Sequence, residues 1–419
     1  MSEGSAPDSS RPGAAEGGPG QGSAFALYVH VPFCRGRCSY CDFTSEVHTR
    51  GRVRLFLDAL AREAERAPHA GSTPATAYVG GGTPTSPGDE EIAELFGILK
   101  GGFDLSRVRE WTVEANPGTV DERRLGLLRE LGADRLSIGT QSFREDFLRL
   151  LGRRHGVEES ERAVRAARRA GFANVSLDLI FAMPGQTLDD VKSDVARAVD
   201  LGPDHVSLYS LSYEPGTKLH RMRAEGAVAP PDEELEREMY LEIIDDLFAA
   251  GYEQYEISNF AKPGYESRHN LVYWEGPLAE PLPPGGKGDG LCPGVVEYVG
   301  LGPSASSFIG GERRRNLRDL GEYALRLARG EDPVEERERL GPERAARETL
   351  MLALRTRRGV DPRAFERRTG FSLEALMGEA GRRLLDGGWL ERTGEGGSGR
   401  IRLSRRALPV ADAVLSEIV

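Results

Sequence analysis

Cysteine is scarce in this chain: four residues in 419, three of them between positions 34 and 41. A disulfide framework spreads its cysteines to staple distant loops. This clustering excludes such a scaffold and points to a metal site in a reducing compartment, with the cytoplasm as the expected location. Cys292 stands apart in a Pro/Gly-rich stretch. Net positive charge is also missing. The formal balance of −11 is the reverse of the basic field that neutralises phosphates, so no nucleic-acid partner is expected. Arginine is plentiful but interleaved with Glu and Asp, as on solvated helix faces. No run approaches the ~20 apolar residues that cross a bilayer, which excludes an integral membrane protein. Residues 1–24 hold almost no large apolar side chain. They lack a secretory signal's apolar core and a transit peptide's arginines, and are expected to form a disordered tail.

What is present suffices for a large core. Apolar residues make up 39% of the chain, and its length predicts one large unit with a smaller appendage. Short β-rich runs recur at Phe25–Val31, Ala77–Val79, Trp111–Val113, Arg135–Ile138, Val175–Ile180 and His205–Tyr209. Amphipathic helix-length segments at Asp89–Lys100, Asp121–Leu131, Glu158–Ala170 and Leu188–Asp200 alternate with them. This alternation predicts six parallel βα units, in a doubly wound sheet or an incomplete barrel. In either, chemistry sits at the carboxyl ends of the strands. Polar and glycine clusters follow the strands: the cysteines after the first, Gly80–Pro84 after the second, Glu114–Pro117 after the third and Gln141 after the fourth. A helix is expected over Asp232–Ala250, a surface insertion over Pro277–Gly294, and from about Gly341 three helices with a β-hairpin around Trp389–Leu403 turning at Gly394–Gly399. That ending is winged-helix-like, but without a basic recognition helix it reads as a small domain packed on the larger one.

Cys34-Arg-Gly-Arg-Cys38-Ser-Tyr-Cys41 carries the strongest signal. Three thiolates from one glycine-containing loop can hold three irons of a [4Fe–4S] cube and leave the fourth open. A zinc knuckle completed by His30 or His48 is the alternative, and with the C-terminal pattern it would suggest a zinc-containing winged-helix regulator.

The CxxxCxxC spacing resembles the radical S-adenosylmethionine (SAM) superfamily, whose open iron chelates SAM. Tyr28-Val-His-Val-Pro-Phe-Cys34, Gly80-Gly-Gly-Thr-Pro-Thr85, Glu114-Ala-Asn-Pro117, Leu136–Phe143, Asp178–Thr187 and Gly300-Leu-Gly-Pro-Ser304 are similar to the oxygen-independent coproporphyrinogen III oxidase group. The resemblance runs from about Phe25 to the C-terminus. It implies an incomplete parallel (β/α)6 radical SAM barrel over residues 25–230, an extension over 231–335 and a smaller C-terminal winged-helix-like domain over 336–419. It further implies a cluster on Cys34, Cys38 and Cys41, cleavage of SAM to a 5′-deoxyadenosyl radical, and an electron donor. Gly80, Gly81, Gly82 and Thr83 are expected beside the cluster, where bare backbone admits the methionine end of SAM. Glu114, Gln141, Arg153 and Asp178 are expected on its polar groups, and Tyr28 beside the cluster.

Within this group, the decarboxylating oxidase has a further cysteine two residues after the third, where this chain has Phe43. Phe43 and His269-Asn-Leu-Val-Tyr-Trp274 resemble instead the heme chaperone branch. That implies heme as cargo, His269 as iron ligand, Tyr273 and Trp274 against the porphyrin, and respiratory heme-acceptor proteins as partners. Oxidative decarboxylation of coproporphyrinogen III is the alternative function. Ser306 stands where similar sequences often have His, and Thr140 replaces the usual valine before Gln141.

Overall fold

The structure, a computed structural model, describes residues 24–276, 295–394 and 399–418. The tail up to residue 23, the Pro277–Gly294 insertion with Cys292, and the centre of the 394–399 turn lie outside the described residues. The first strand, β1 (Ala24–Val31), is followed by a two-residue parallel pair, β2 (Phe33–Cys34) and β3 (Glu46–Val47). Then come β4 (Thr76–Gly81), β5 (Glu110–Ala115), β6 (Arg135–Gln141), β7 (Asn174–Phe181) and β8 (His205–Ser210). Strands β1, β4, β5, β6, β7 and β8 pair in that order, all parallel, which are the six strands expected.

The helices between them match the apolar spacing. Leu188–Asp200 starts where Thr187 caps Asp190 N–H and the Asp190 carboxylate returns a bond to Thr187 N–H, a reciprocal capping box. Along the strands side chains alternate by face. Val79, Trp111, Val113, Leu136, Ile138, Val175, Leu177 and Val206 are buried in the main apolar core. Trp111 stacks on Phe96 of helix Asp89–Gly102 with ring centroids 4.8 Å apart.

The sheet grows beyond the predicted units. β10 (Asn259–Ala261) adds antiparallel to β8, and β9 (Glu253–Glu256) antiparallel to β10. On the other side β11 (Val295–Leu301) pairs parallel with β1, a seventh parallel strand not anticipated from the spacing. β12 (Ser306–Ile309), β13 (Glu312–Asn316) and β14 (Val334–Glu338) continue antiparallel from it. The result is one twelve-stranded sheet with β14 and β9 as its ends, open rather than closed.

Helices Pro342–Leu354, Pro362–Thr369 and Leu373–Asp386 and the hairpin β15 (Leu390–Arg392) with β16 (Ile401–Leu403) form the C-terminal region. It covers the β9 end: Arg357 N–H donates to Tyr255 O at 2.9 Å, and Arg405 pairs with Asp245 at 2.7 Å. An open edge is thereby protected from pairing with another chain. No helix among the described residues is long and apolar enough to cross a membrane.

Candidate functional site

The strand face opposite the apolar core is polar, and its carboxyl ends wall a cleft of about 740 Å³. Alternation places Tyr78 of β4, Glu114 of β5, Arg135, Ser137, Gly139 and Gln141 of β6, Asp178 of β7 and Ser207 of β8 on this face. Cys34, Cys38 and Cys41 form its rim. The cysteine loop is strapped from several sides. Ser39 N–H donates to Leu151 O at 2.8 Å, and Arg35 Nη1 donates to Gly118 O at 2.8 Å. Cys34 Sγ lies 3.5 Å from Thr83 Oγ1.

Arg153 reaches the loop from below. Its Nη1 lies 3.6 Å from Cys38 Sγ and its Nη2 donates to Gly139 O at 2.6 Å. Burial pushes the Cys34 thiol up, and raises Cys41 to about 11. A bound cation is what would hold them as thiolates. Among the described residues no three His, Cys, Asp or Glu side chains converge on a point suited to one ion. The histidines considered for a zinc knuckle are engaged elsewhere. His30 Nε2 donates to Thr44 O at 2.8 Å while its Nδ1 bonds Tyr28 OH at 3.1 Å, and His48 Nδ1 bonds Ser86 Oγ at 3.1 Å.

Glu114 accepts from Tyr78 OH at 2.8 Å and from Gly81 N–H at 3.0 Å. Burial, with the nearby Asp178 charge adding to it, raises its carboxyl to about 7. Asp178 is raised by burial too, although Ser137 Oγ donates to it at 3.0 Å. Two carboxylates in such a wall create demand for a cation or donor. Gln141 reaches the cleft from a left-handed backbone, φ 71°. The bend after it is pinned from beneath: Asp194 accepts from Ser142 Oγ at 2.7 Å and Phe143 N–H at 2.8 Å.

The cleft therefore gathers the three cysteines, Gly81, Gly82, Thr83, Glu114, Gln141, Arg153 and Asp178. Three expected residues are placed elsewhere. Gly80 shares the face of Tyr78 on β4 but does not line the cleft, and a Cβ there would lie 2.8 Å from the Tyr78 ring and 2.9 Å from the Glu114 carboxylate. Tyr28 faces a second, adjoining cleft. His269 lines neither; it is fully buried, with Nδ1 bonded to Thr76 Oγ1 at 2.9 Å and Nε2 to Tyr273 OH at 3.0 Å. Trp274 turns away under the Arg355 guanidinium, 5.2 Å from the ring.

The glycine run also differs from expectation. The Gly81, Gly82 and Thr83 amides are not bare: they donate to Glu114, Val31 O and Phe33 O. The run is glycine because it passes so close to the chain's own backbone. A Cβ on Gly82 would sit 2.7 Å from Phe33 O.

Sequence reasoning missed Arg135, whose guanidinium is buried at the base of the cleft with Nε unpartnered. Its two-residue spacing with Ser137, Gly139 and Gln141 was the available signal. The Nε of Arg153 is likewise buried and unpartnered. Two such donors and three thiols around one cleft fit a bound thiolate-ligated cluster with a polar, carboxylate-bearing partner.

The chain is similar to known proteins along most of its length. Residues 28–198 match the family model of the radical SAM superfamily, and residues 340–410 that of the HemN C-terminal domain. The chain is 36% identical to the heme chaperone HemW of Mycobacterium tuberculosis over 96% of both chains. It is 36% identical to that of Bacillus subtilis over 84% of this chain and 89% of that protein. Among solved structures it is similar to the coproporphyrinogen III oxidase HemN of Escherichia coli. The TM-score is 0.78 and the identity 24%, covering 94% of this chain and 90% of that one. That likeness is one of fold.

Proposed function

The chain belongs to the heme chaperone HemW family of radical SAM proteins, and from that premise we propose that it binds heme and passes it to heme-requiring respiratory proteins in the cytoplasm. The observation that carries this reading is the 36% identity to a heme chaperone HemW along 96% of both chains. Phe43 on the cysteine loop supports it, because the decarboxylating oxidase has a thiol there.

Membership of the superfamily implies a [4Fe–4S] cluster and SAM. Cys34, Cys38 and Cys41 are the residues to hold the cluster, and Arg153, Glu114, Asp178 and Gln141 those to hold the polar groups of SAM. When bound, the pair supplies one-electron cleavage chemistry. The chain's own residues bind and orient. Glu114, raised to about 7 by burial, becomes a full carboxylate once a cationic group lies beside it. Arg153 steadies the Cys38 sulfur from a fixed bond to β6.

For the heme iron, His269 is the ligand this reading names. Burial holds its imidazole near a pKa of 3, so it is neutral and a competent donor at working pH. Its Nε2 is held by Tyr273 OH, and ligation requires that bond to release.

The test is an anaerobic hemin titration of the reconstituted protein, run beside a turnover assay with SAM, reductant and coproporphyrinogen III. Saturable hemin binding without protoporphyrinogen is expected. Turnover to protoporphyrinogen, or no hemin binding, overturns the reading.

A further inference from the structure

A second cleft of about 360 Å³ adjoins the first, with Gly81, Glu114, Asp42 and Phe43 facing both. It forms where the cysteine loop meets the remote end of the sheet, and a 2.6 Å bond between Thr44 Oγ1 and Ser304 Oγ ties the two. The radical SAM reading uses Tyr28, Gly81 and Glu114 on the shared side and leaves Tyr298, Ser306, Arg315 and Arg318 without a role.

Asp42 and Glu114 put its acidic groups on the side shared with the first cleft, and the rest of its lining has two chemistries. One is aromatic. Phe43 is 61% exposed at the mouth, where its ring is available to a flat partner. Tyr298 stands edge-on to Tyr273 with centroids 5.0 Å apart, and both line the cleft. The other is cationic. Arg315, half-buried on β13, pairs with Glu336 through Nη2, but its Nε is buried without a partner. Arg318 is exposed, and among the described residues it makes no hydrogen bond or ion pair. Ser306 lies beside Arg315 in the β12–β13 ladder and lines the same cleft. Its small side chain leaves the approach to Arg315 open.

Two arginines at the edge of an aromatic slot fit a flat, apolar ring with carboxylates on one side. Guanidinium groups pair with carboxylates through two parallel N–H donors, and aromatic faces cover the ring. We propose that this second cleft seats the carboxylate-bearing edge of a porphyrin, with Arg318 and Arg315 pairing with its propionates and Phe43 and Tyr298 flanking the ring. The assignment rests on the heme-binding reading and names where its cargo sits. A volume of 360 Å³ is at the small end for enclosed ligand sites, so much of the macrocycle remains outside. That suits a cargo held for transfer. Tyr273, on the wall of this cleft, is also the residue bonded to His269, so the seat and the named iron ligand are one side chain apart.

The experiment compares hemin with its propionate dimethyl ester, titrated against the full-length wild-type chain, R318Q and R315Q/R318Q. Circular dichroism verifies that each variant is folded. Charge-assisted pairs in a partly exposed site predict that wild type prefers hemin to the diester by about tenfold, and that the double variant loses most of this preference. The diester arm on wild type needs no substitution, so it stands even where a variant fails to fold. Equal binding of hemin and diester by wild type overturns the propionate clamp and leaves the heme reading standing. An unchanged preference in R315Q/R318Q does the same. If wild type binds neither compound, the heme reading falls and the clamp falls with it.

Discussion

Removing one hydroxyl, in Tyr273→Phe, is expected to tighten hemin binding. In the structure Tyr273 OH bonds His269 Nε2 at 3.0 Å, inside a packed group that includes Tyr78, 5.0 Å from the imidazole centroid, and Thr76 on Nδ1. His269 can ligate iron through Nε2 only by giving up the tyrosine bond, so part of the ligation energy is offset by its loss. A neutral buried hydrogen bond contributes about 0.5–1.5 kcal/mol net, and a buried nitrogen left without a partner costs about 1–3 kcal/mol. The variant has no bond to break and a destabilised ligand-free state. Affinity should therefore rise by about 1–2 kcal/mol, or about five- to thirtyfold. The ring remains, so packing against Tyr298 is preserved. The assay is anaerobic hemin titration followed in the Soret band, with His269→Ala as the reference that has no imidazole. Weaker or unchanged binding in Tyr273→Phe would refute the argument. So would a His269→Ala protein that gives the wild-type spectrum.

Three further outcomes are expected. Glu63 is buried where helix Arg50–Arg66 meets Tyr323, Gly302 N–H and Asn316, and burial raises its carboxyl to about 7 despite those three donors. The folded chain thus keeps a proton that the unfolded chain loses above pH ~4.5, so stability falls as pH rises through that value towards 7, by at most about 3 kcal/mol. Urea midpoints at pH 5 and 8 should differ less in Glu63→Gln than in wild type; an equal or larger difference rejects Glu63 as the source. Gly81→Ala places a Cβ 2.6 Å from the His30 ring at φ 107°, so a stability loss of about 2–4 kcal/mol in thermal or chemical unfolding is expected; a loss below 1 kcal/mol would show that His30 can move aside. Cys38→Ser should abolish iron and sulfide retention after reconstitution while leaving the circular dichroism spectrum unchanged, since Cys38 is half-exposed and packs little apolar surface; full iron retention would exclude Cys38 as a ligand.

The local signals in the chain were legible because they depend on short-range spacing. Cysteines at 34, 38 and 41 share one loop whatever the rest of the chain does. Period-two and period-3.6 patterns fix which segments become strands and helices, and a parallel βα order sends strand-end residues such as Glu114, Gln141 and Asp178 to one side of the sheet. The βα strands and helix Leu188–Asp200 fall where the spacing put them. Family resemblance supplied what spacing left open, namely cluster against zinc and an incomplete barrel against a doubly wound sheet.

Other features depend on which distant segments meet, and no local pattern encodes that. Val295–Leu301 becomes a parallel neighbour of β1 through a register set across more than 260 residues of chain, and only that pairing brings Ser304, Ser306 and Arg315 to the cysteine loop and opens the second cleft. His269 reads as a free imidazole within its motif; the fold encloses it between Thr76 and Tyr273, because the helix that carries it packs on β4. Arg135 reads as the polar start of an apolar strand, yet strand alternation and the neighbouring β5 and β7 turn it into the cleft. The sequence by itself determined the thiol loop, the strand ends and the family. The tertiary structure decided which side chains face an opening and which are sealed, because burial is a property of neighbours far apart in the chain.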